Sequence, residues 1–442
     1  MKKSSFGPQG LSRREFIRLT ALTGAGFLAG CAANPVTGRS QLMLVSEEKE
    51  ITMDKQNSPH QLSADYGTLQ DKALNNYISS TGKAIAKKTH RPHMPYSFQG
   101  VNATYVNAYA FPGGTIATTR GILLSLESEA ELAALLGHEL GHVNARHTAE
   151  IMSKKILTTA IIGGAAIYAG TKDPIYGGVA AAVGMVGSGV LLAAYSRSNE
   201  RQADSLGMEY MVKSGYGPDG MSGLMDMLAG MSKHKASITQ LLFSTHPMSD
   251  ERYNNAKKEI KSKYMADKNK PIYRERYMDH TANLRKIKGA IVELQKGETL
   301  MAQEKFPQAE SHLKKALKKA PNDYAALTMM AKCQIVQKKF SEAEQYSSKA
   351  RQVYPQEAQA HNLDGISKIQ QKKYTEALNS FNAYDKRLPG NPGTLFFKGL
   401  SYEGMQRHES AAKNYKGFLD VVNQGEQAKY AYQRLKQWGY IK

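Results

Sequence analysis

A 34-residue period runs through the C-terminal part of the chain. Gly297, Ala331, Gly365 and Gly399 lie 34 apart, as do Phe306, Phe340 and Tyr374, and as do Ala309, Ala343, Ala377 and Ala411. Pro321, Pro355 and Pro389 close three successive units in the same register. A fixed period of this length leaves little choice of architecture, because each unit can bury its apolar face only against its neighbours. The small residue lets a second helix approach the first, the aromatic fills the joint between them, and the proline stops the second helix. Stacked helix pairs are therefore expected over residues 290–425. In the fourth unit His408 replaces the aromatic and Asn423 the proline, a departure expected of a terminal unit, and residues 426–442 with Trp438 are expected to cap the stack.

This period, with its small-residue, aromatic and proline positions, resembles the tetratricopeptide pattern. Such arrays are binding surfaces. Whether this one presents a basic groove or merely a solvated basic face depends on where its charge lies. The formal net charge of the 442 residues is +20, with 59 Lys+Arg against 39 Asp+Glu. An excess of this size usually points to nucleic acid. Here +4 of it sits in residues 1–30 and +12 in residues 271–442, leaving +4 between.

Residues 1–30 have the layout of a signal peptide: Lys2, Lys3, Arg13, Arg14 and Arg18 precede an apolar stretch from Leu19 to Ala29. Ser12-Arg13-Arg14-Glu15-Phe16-Ile17-Arg18 resembles a twin-arginine export signal, with general secretory export as the other route. Leu28-Ala29-Gly30-Cys31 resembles a lipobox, which implies acylation of Cys31 and a lipidated linker over residues 31–44; an ordinary signal or uncleaved anchor with an incidental cysteine is the alternative. Either way the remaining chain is extracytoplasmic, so nucleic acid is not an expected partner. A disulfide scaffold is excluded by two cysteines, and Cys333 reads as a small buried hydrophobe in a helix.

The chemistry is carried by Leu135-Leu136-Gly137-His138-Glu139-Leu140-Gly141-His142. On a helix, His138 and His142 share a face and can hold one Zn²⁺, with Glu139 beside them to take a proton from a water. Leu132, Leu135, Leu136, Leu140 and Val143 recur at helical spacing, with Ser125 or Ser128 as N-cap. A catalytic zinc needs a third protein ligand. The extended metzincin form would place glycine and histidine where Ala145 and Thr148 stand, which excludes that class; His147 falls one position short. Asn199-Glu200-Arg201-Gln202-Ala203-Asp204 offers Glu200 as ligand, with Asp204 one turn on to hydrogen-bond a ligand histidine.

These motifs, together with Asn107-Ala108-Tyr109-Ala110-Phe111-Pro112-Gly113-Gly114, Thr245-His246-Pro247 followed by Arg252, and the Asn34-Pro35-Val36-Thr37-Gly38 opening, resemble the gluzincin metallopeptidases that include the HtpX and CAAX-prenyl proteases. Within them the match is to the periplasmic BepA-type branch, which joins such a domain to tetratricopeptide repeats. The resemblance implies peptide-bond hydrolysis with one Zn²⁺ per chain and Glu139 as general base. Val101 to Ala110 then reads as an edge strand whose Asn107, Ala108 and Tyr109 pair with an extended substrate. His246 stabilises the oxyanion, or occupies the open zinc position and holds the enzyme latent, or is only a helix-start histidine before Pro247. Arg252 reads as an ion-pair partner near the site.

Between the metal motifs, Ile156 to Gly170 and Ile175 to Tyr195 are apolar and glycine-rich, and read as a buried or membrane-surface helical hairpin, with a membrane span as the alternative. The expected fold is mainly α: a gluzincin-type zinc peptidase domain over residues 45–265 with a small sheet, a connecting helix over 266–289, and a tetratricopeptide-repeat α-solenoid. The expected task is cleavage of misassembled outer-membrane or periplasmic proteins, on the periplasmic side of the envelope and anchored through Cys31 to the outer membrane, the repeats recruiting clients or assembly machinery. A repeat-based chaperone or adaptor with latent proteolysis is the competing reading.

Overall fold

The chain is mainly helical, with a small open sheet in its N-terminal half and a helical repeat array in its C-terminal half. The computed structural model describes residues 31–162, 195–234 and 239–442. The expected signal peptide, residues 1–30, and the apolar stretch 163–194 lie outside the described residues. Among the described residues no helix is long and apolar enough to cross a membrane.

Residues 31–44, expected as a linker, instead contain a hairpin, β1 (Cys31–Ala33) antiparallel to β2 (Ser40–Leu42). The Asn34 side-chain oxygen accepts the amides of Val36 and Thr37 at 2.9 and 3.1 Å, and Gly38 supplies the left-handed turn residue at φ +67°. The same Asn34 donates to the Ala145 carbonyl at 3.2 Å and the Leu44 amide to Ser153 Oγ at 2.8 Å, so the hairpin docks at the end of the metal-motif helix.

Two helices, Glu47–Ala64 and Lys72–Ala86, lead into a three-stranded sheet of β3 (Ser97–Val101), β4 (Ala108–Ala110) and β5 (Thr115–Thr119) in the order β3-β5-β4. β3 runs parallel to β5, and β4 lies antiparallel on the other side, at an edge. The single strand expected from Val101 to Ala110 is thus broken. Loop 102–107 satisfies its backbone elsewhere: the Asn102 backbone amide donates to the Gly67 carbonyl at 3.0 Å, and Thr119 Oγ1 donates to the Tyr105 carbonyl at 2.6 Å.

The metal-motif helix, Glu129–Asn144, starts at Ser128, whose hydroxyl accepts the Glu131 amide at 3.2 Å. Nearly all its residues are buried, as expected of a helix walled in on every side. It packs against β4 and against helices Lys72–Ala86, Arg197–Lys213 and Asp219–His234.

The connecting segment is not one helix. It breaks into Arg274–His280 and Ala282–Lys286, because side chains pin it to the surface it crosses: the Tyr277 hydroxyl donates to the Leu123 carbonyl and Arg285 to the Leu126 carbonyl, each at 2.7 Å. Four helix pairs follow, Lys288–Ala302 with Phe306–Lys319, Tyr324–Val336 with Phe340–Val353, Gln359–Gln370 with Tyr374–Arg387, and Pro392–Gly404 with His408–Leu419. A last helix, Glu426–Gln437, closes the array, and Trp438 stacks on His408 at 4.6 Å, so the residue that replaces the repeat's aromatic is the one the last segment covers.

Packing explains the period. A Cβ at Gly297, Gly365 or Gly399 would lie 2.8 Å from Leu313, 2.7 Å from Phe381 or 2.4 Å from Tyr415. The second helices end two residues before Pro321, Pro355 and Pro389, with Ala320, Tyr354 and Leu388 out of the helical conformation.

The first-helix side of the array sits on the N-terminal half. Gln295 donates to the Thr104 carbonyl at 2.7 Å, the Thr104 hydroxyl donates to Glu298 at 2.9 Å, and Arg120 pairs with Asp323. Gln359 donates to the Ser63 carbonyl at 3.2 Å, and the Lys332 ammonium lies 4.7 Å from the Tyr66 ring centre. Gly365→Val would force a methyl-bearing Cβ into the Phe381 ring, a loss of about 1–3 kcal/mol, visible as a lower Tm in thermal denaturation.

Candidate metal centre

Two helices meet at glycine. A Cβ at Gly137 would lie 2.9 Å from the Gly207 carbonyl oxygen, one at Gly141 would lie 2.9 Å from Ala203 Cα, and one at Gly207 would lie 2.8 Å from the His138 nitrogen. The motif helix and helix Arg197–Lys213 therefore touch backbone to backbone. A capping box fixes where the second helix begins, Ser196 and Asn199 each accepting the other's backbone amide. That start puts Glu200 and Asp204, one turn apart, opposite the two histidines.

Four donors converge there. His138 Nε2 lies 3.1 Å from His142 Nε2 and 3.4 Å from His246 Nδ1. The Glu200 carboxylate lies 3.6 Å from His138 Nε2, 3.3 Å from His142 Nε2 and 3.1 Å from His246 Nδ1. All four residues are buried, and their ligand atoms lie within 4.8 Å of one another. Tetrahedral Zn²⁺ with bonds of about 2.0–2.2 Å would space neighbouring ligand atoms about 3.3–3.6 Å apart, so the nitrogen and oxygen set fits one metal ion with small movements.

Glu139 faces the same space. Its Oε1 lies 3.9 Å from His246 Nε2, and its Oε2 is buried with no hydrogen-bond partner among the described residues. Burial raises the Glu139 carboxyl above its ordinary range, against the pull of His246 and His138. Glu200 goes the other way. Burial would raise it, but His246, His142 and His138 together hold it well below the usual carboxylate range.

Arg252 and Asp204 support this set. Arg252 Nε and Nη2 each donate to Asp204 at 2.7 Å, its Nη1 lies 2.6 Å from Glu200, and the same Nη1 donates to the Pro247 carbonyl at 3.1 Å. One guanidinium thereby ties the Glu200 helix to the turn that carries His246. Asp204 Oδ1 lies 2.9 Å from His138 Nδ1 and orients that ring.

His142 is oriented by residues to which spacing assigned no role. Tyr195 stacks on its ring at 3.7 Å, its Nδ1 lies 2.9 Å from His147 Nδ1, and His147 Nε2 lies 3.0 Å from Gln202 Oε1. With Nε2 given to a metal, His142 would carry its proton on Nδ1 and donate to His147, which would in turn donate from Nε2 to Gln202. No periodic signal announces this relay, because the helix ends at Asn144 and Arg146 turns the chain at φ +59° before His147.

The structure packs Ala108 into the core that the motif helix shares, and the Asn107 side-chain amide is buried with neither its oxygen nor its nitrogen hydrogen-bonded among the described residues. Tyr109 turns its side chain elsewhere, its hydroxyl bonding Asp65, as does that of Tyr105 at 2.8 Å. Gln202→Leu should weaken Zn²⁺ affinity roughly 10- to 100-fold in competition with a chromophoric chelator, while Gln202→Glu, which keeps the acceptor, should not.

Residues 72–260 match the model of peptidase family M48 and residues 300–364 that of a tetratricopeptide repeat. The beta-barrel assembly-enhancing protease of Yersinia pestis is 26% identical over 202 residues, 45% of this chain and 41% of that protein. Metalloprotease YcaL of Escherichia coli is 27% identical over 213 residues, 48% of this chain and 76% of that protein. Metalloprotease LoiP of Escherichia coli is 27% identical over 159 residues, 36% of this chain and 60% of that protein. The match thus spans less than half the length of the Yersinia relative. The chain carries an M48 peptidase domain, with a buried His-His-Glu-His set suited to one metal ion, followed by a tetratricopeptide-repeat region.

Proposed function

We propose that the protein is a zinc-dependent endopeptidase of the bacterial cell envelope. The observation that carries this reading is the buried convergence of His138, His142 and Glu200 beside Glu139, whose Oε2 has no hydrogen-bond partner among the described residues. Zinc held by those three residues would polarise the scissile carbonyl and acidify a water. Glu139 takes the proton and delivers it to the leaving amine, a task suited to a carboxylate whose affinity for protons is raised by burial. Arg252 holds Glu200 in place through its 2.6 Å contact, and Asp204 holds His138. β4 pairs with β5 along one edge, and its other edge, unpaired among the described strands, would offer backbone groups to an extended peptide.

His246 is read as a latency ligand in preference to an oxyanion donor. Its Nδ1 stands at the distance of a fourth ligand from both His138 and Glu200. A histidine there keeps out the substrate carbonyl until it is displaced, and the short turn from His246 to Ser249 gives it a hinge.

Clients are misfolded or misassembled outer-membrane and periplasmic proteins, a reading supported by the names of the relatives. The enzyme works on the periplasmic side of the envelope, anchored to the outer membrane through a lipid on Cys31, and the repeats recruit clients or assembly machinery. Glu139→Gln should retain one Zn²⁺ per chain by elemental analysis and lose cleavage of an unfolded protein substrate; undiminished cleavage would count decisively against this site as the peptidase centre, and absence of cleavage by the parent chain would favour the adaptor reading. His246→Ala should raise kcat on that substrate several-fold at unchanged zinc content, whereas an oxyanion donor would make it fall.

A further inference from the structure

The repeats have two kinds of surface, and one is already in use. Their first-helix side is packed on the N-terminal half through Gln295, Glu298, Asp323, Lys332 and Gln359. Helix Tyr324–Val336 is consequently buried along almost its whole length. A partner approaching these repeats therefore meets their second-helix side.

On that side the first two units leave a groove of about 290 Å³. Its floor is apolar, made by Leu317, Pro321, Leu327 and Tyr346, and its rim carries Lys314, Lys318 and Lys349. The nearby carboxylate, Glu310, is shared between Lys314 at 2.6 Å and Lys339 at 2.7 Å. These two lysines hold it down to about 2, so it is a carboxylate already satisfied twice over. Lys318 and Lys349 are exposed and have no carboxylate within ion-pair distance among the described residues. Lys315 and Lys319, on the same helix as Lys318, add to the field.

We propose that this groove docks an acidic polypeptide segment with one aromatic or large aliphatic side chain among its carboxylates. The apolar side chain would occupy the floor and the flanking carboxylates would meet the rim. Shape favours a peptide over a membrane surface, since the floor lies in a recess between helices that a flat layer of headgroups does not enter, and its volume suits a single anchoring side chain. The inference deepens the proposed function by naming a client chemistry, and it needs only that clients are proteins; it does not need the peptidase to be active.

The test uses the full chain as Glu139→Gln, so that no probe is cut, and fluorescence anisotropy with a labelled peptide of Asp and Glu residues around one Phe. Lys318→Glu with Lys349→Glu should weaken binding roughly tenfold or more, replacing Phe by Ser in the probe should weaken it several-fold, and rising salt should weaken it steadily. In the parent chain the two lysine changes should leave Tm and cleavage of a short neutral peptide unchanged, which separates failure of the groove from failure of the enzyme. Equal binding by the reversed-charge variant overturns the proposal. So does binding of phosphatidylglycerol vesicles through the same lysines without binding of the peptide.

Discussion

The backbone contact between the motif helix and helix Arg197–Lys213 is the constraint on which the centre depends. Helices ordinarily pack with axes about 8–10 Å apart, a separation set by their side chains. Glycine at 137, 141 and 207 removes those side chains, and a Cβ at any of the three would stand under 3 Å from backbone of the other helix. Close approach lets Glu200, a short side chain, reach the face that His138 and His142 share. It also buries the group on all sides, which is why the balance of charge inside it matters. Glu139, Glu200 and Asp204 bring three carboxyls, and Arg252 one guanidinium. A divalent cation would balance the remainder, and uncompensated buried charge costs several kcal/mol per ion. The donor set and the charge count thus point the same way.

Much of this was legible in the chain because helices repeat themselves. A spacing of four residues places His138 with His142, and Glu200 with Asp204, on single faces whatever the tertiary structure, and a 34-residue period announces stacked helix pairs before any helix is assigned. What was not legible depends on turns and on groups far apart in sequence. His147 looked like a ligand one position out of place; it became the partner of His142 because a left-handed residue at Arg146 returns the ring to the site, and Gln202 joins it from another helix. The alternation from Val101 to Asn107 looked like a strand. The Asn102 backbone amide goes instead to the Gly67 carbonyl and the Thr119 side chain to the Tyr105 carbonyl, something no pattern of apolar residues encodes. The same holds for the hairpin at 31–42, whose turn is set by one asparagine side chain. His246 was ambiguous for a different reason, since its role turns on which ring nitrogen faces the cluster.

The repeat array bears on the catalytic half through a buried polar junction. Asp65 lies at its middle, accepting the hydroxyls of Tyr105 and Tyr109 on one side and sharing the field of Lys332 on the other. Burial pulls the Lys332 ammonium down to about 8, although Glu298, Glu357 and Asp65 oppose that pull. Groups of this kind are tolerated when their partners stay in place, and removing one partner strands the others. Tyr109 belongs to β4, the edge strand beside the motif helix, and Thr104 in the loop before it is held by Gln295 and Glu298 of the first repeat. The position of the edge strand is thus set as much by the array as by the sheet. Basicity that first suggested nucleic acid accordingly includes the lysines Lys314, Lys318 and Lys349 that rim the groove between the first two repeats.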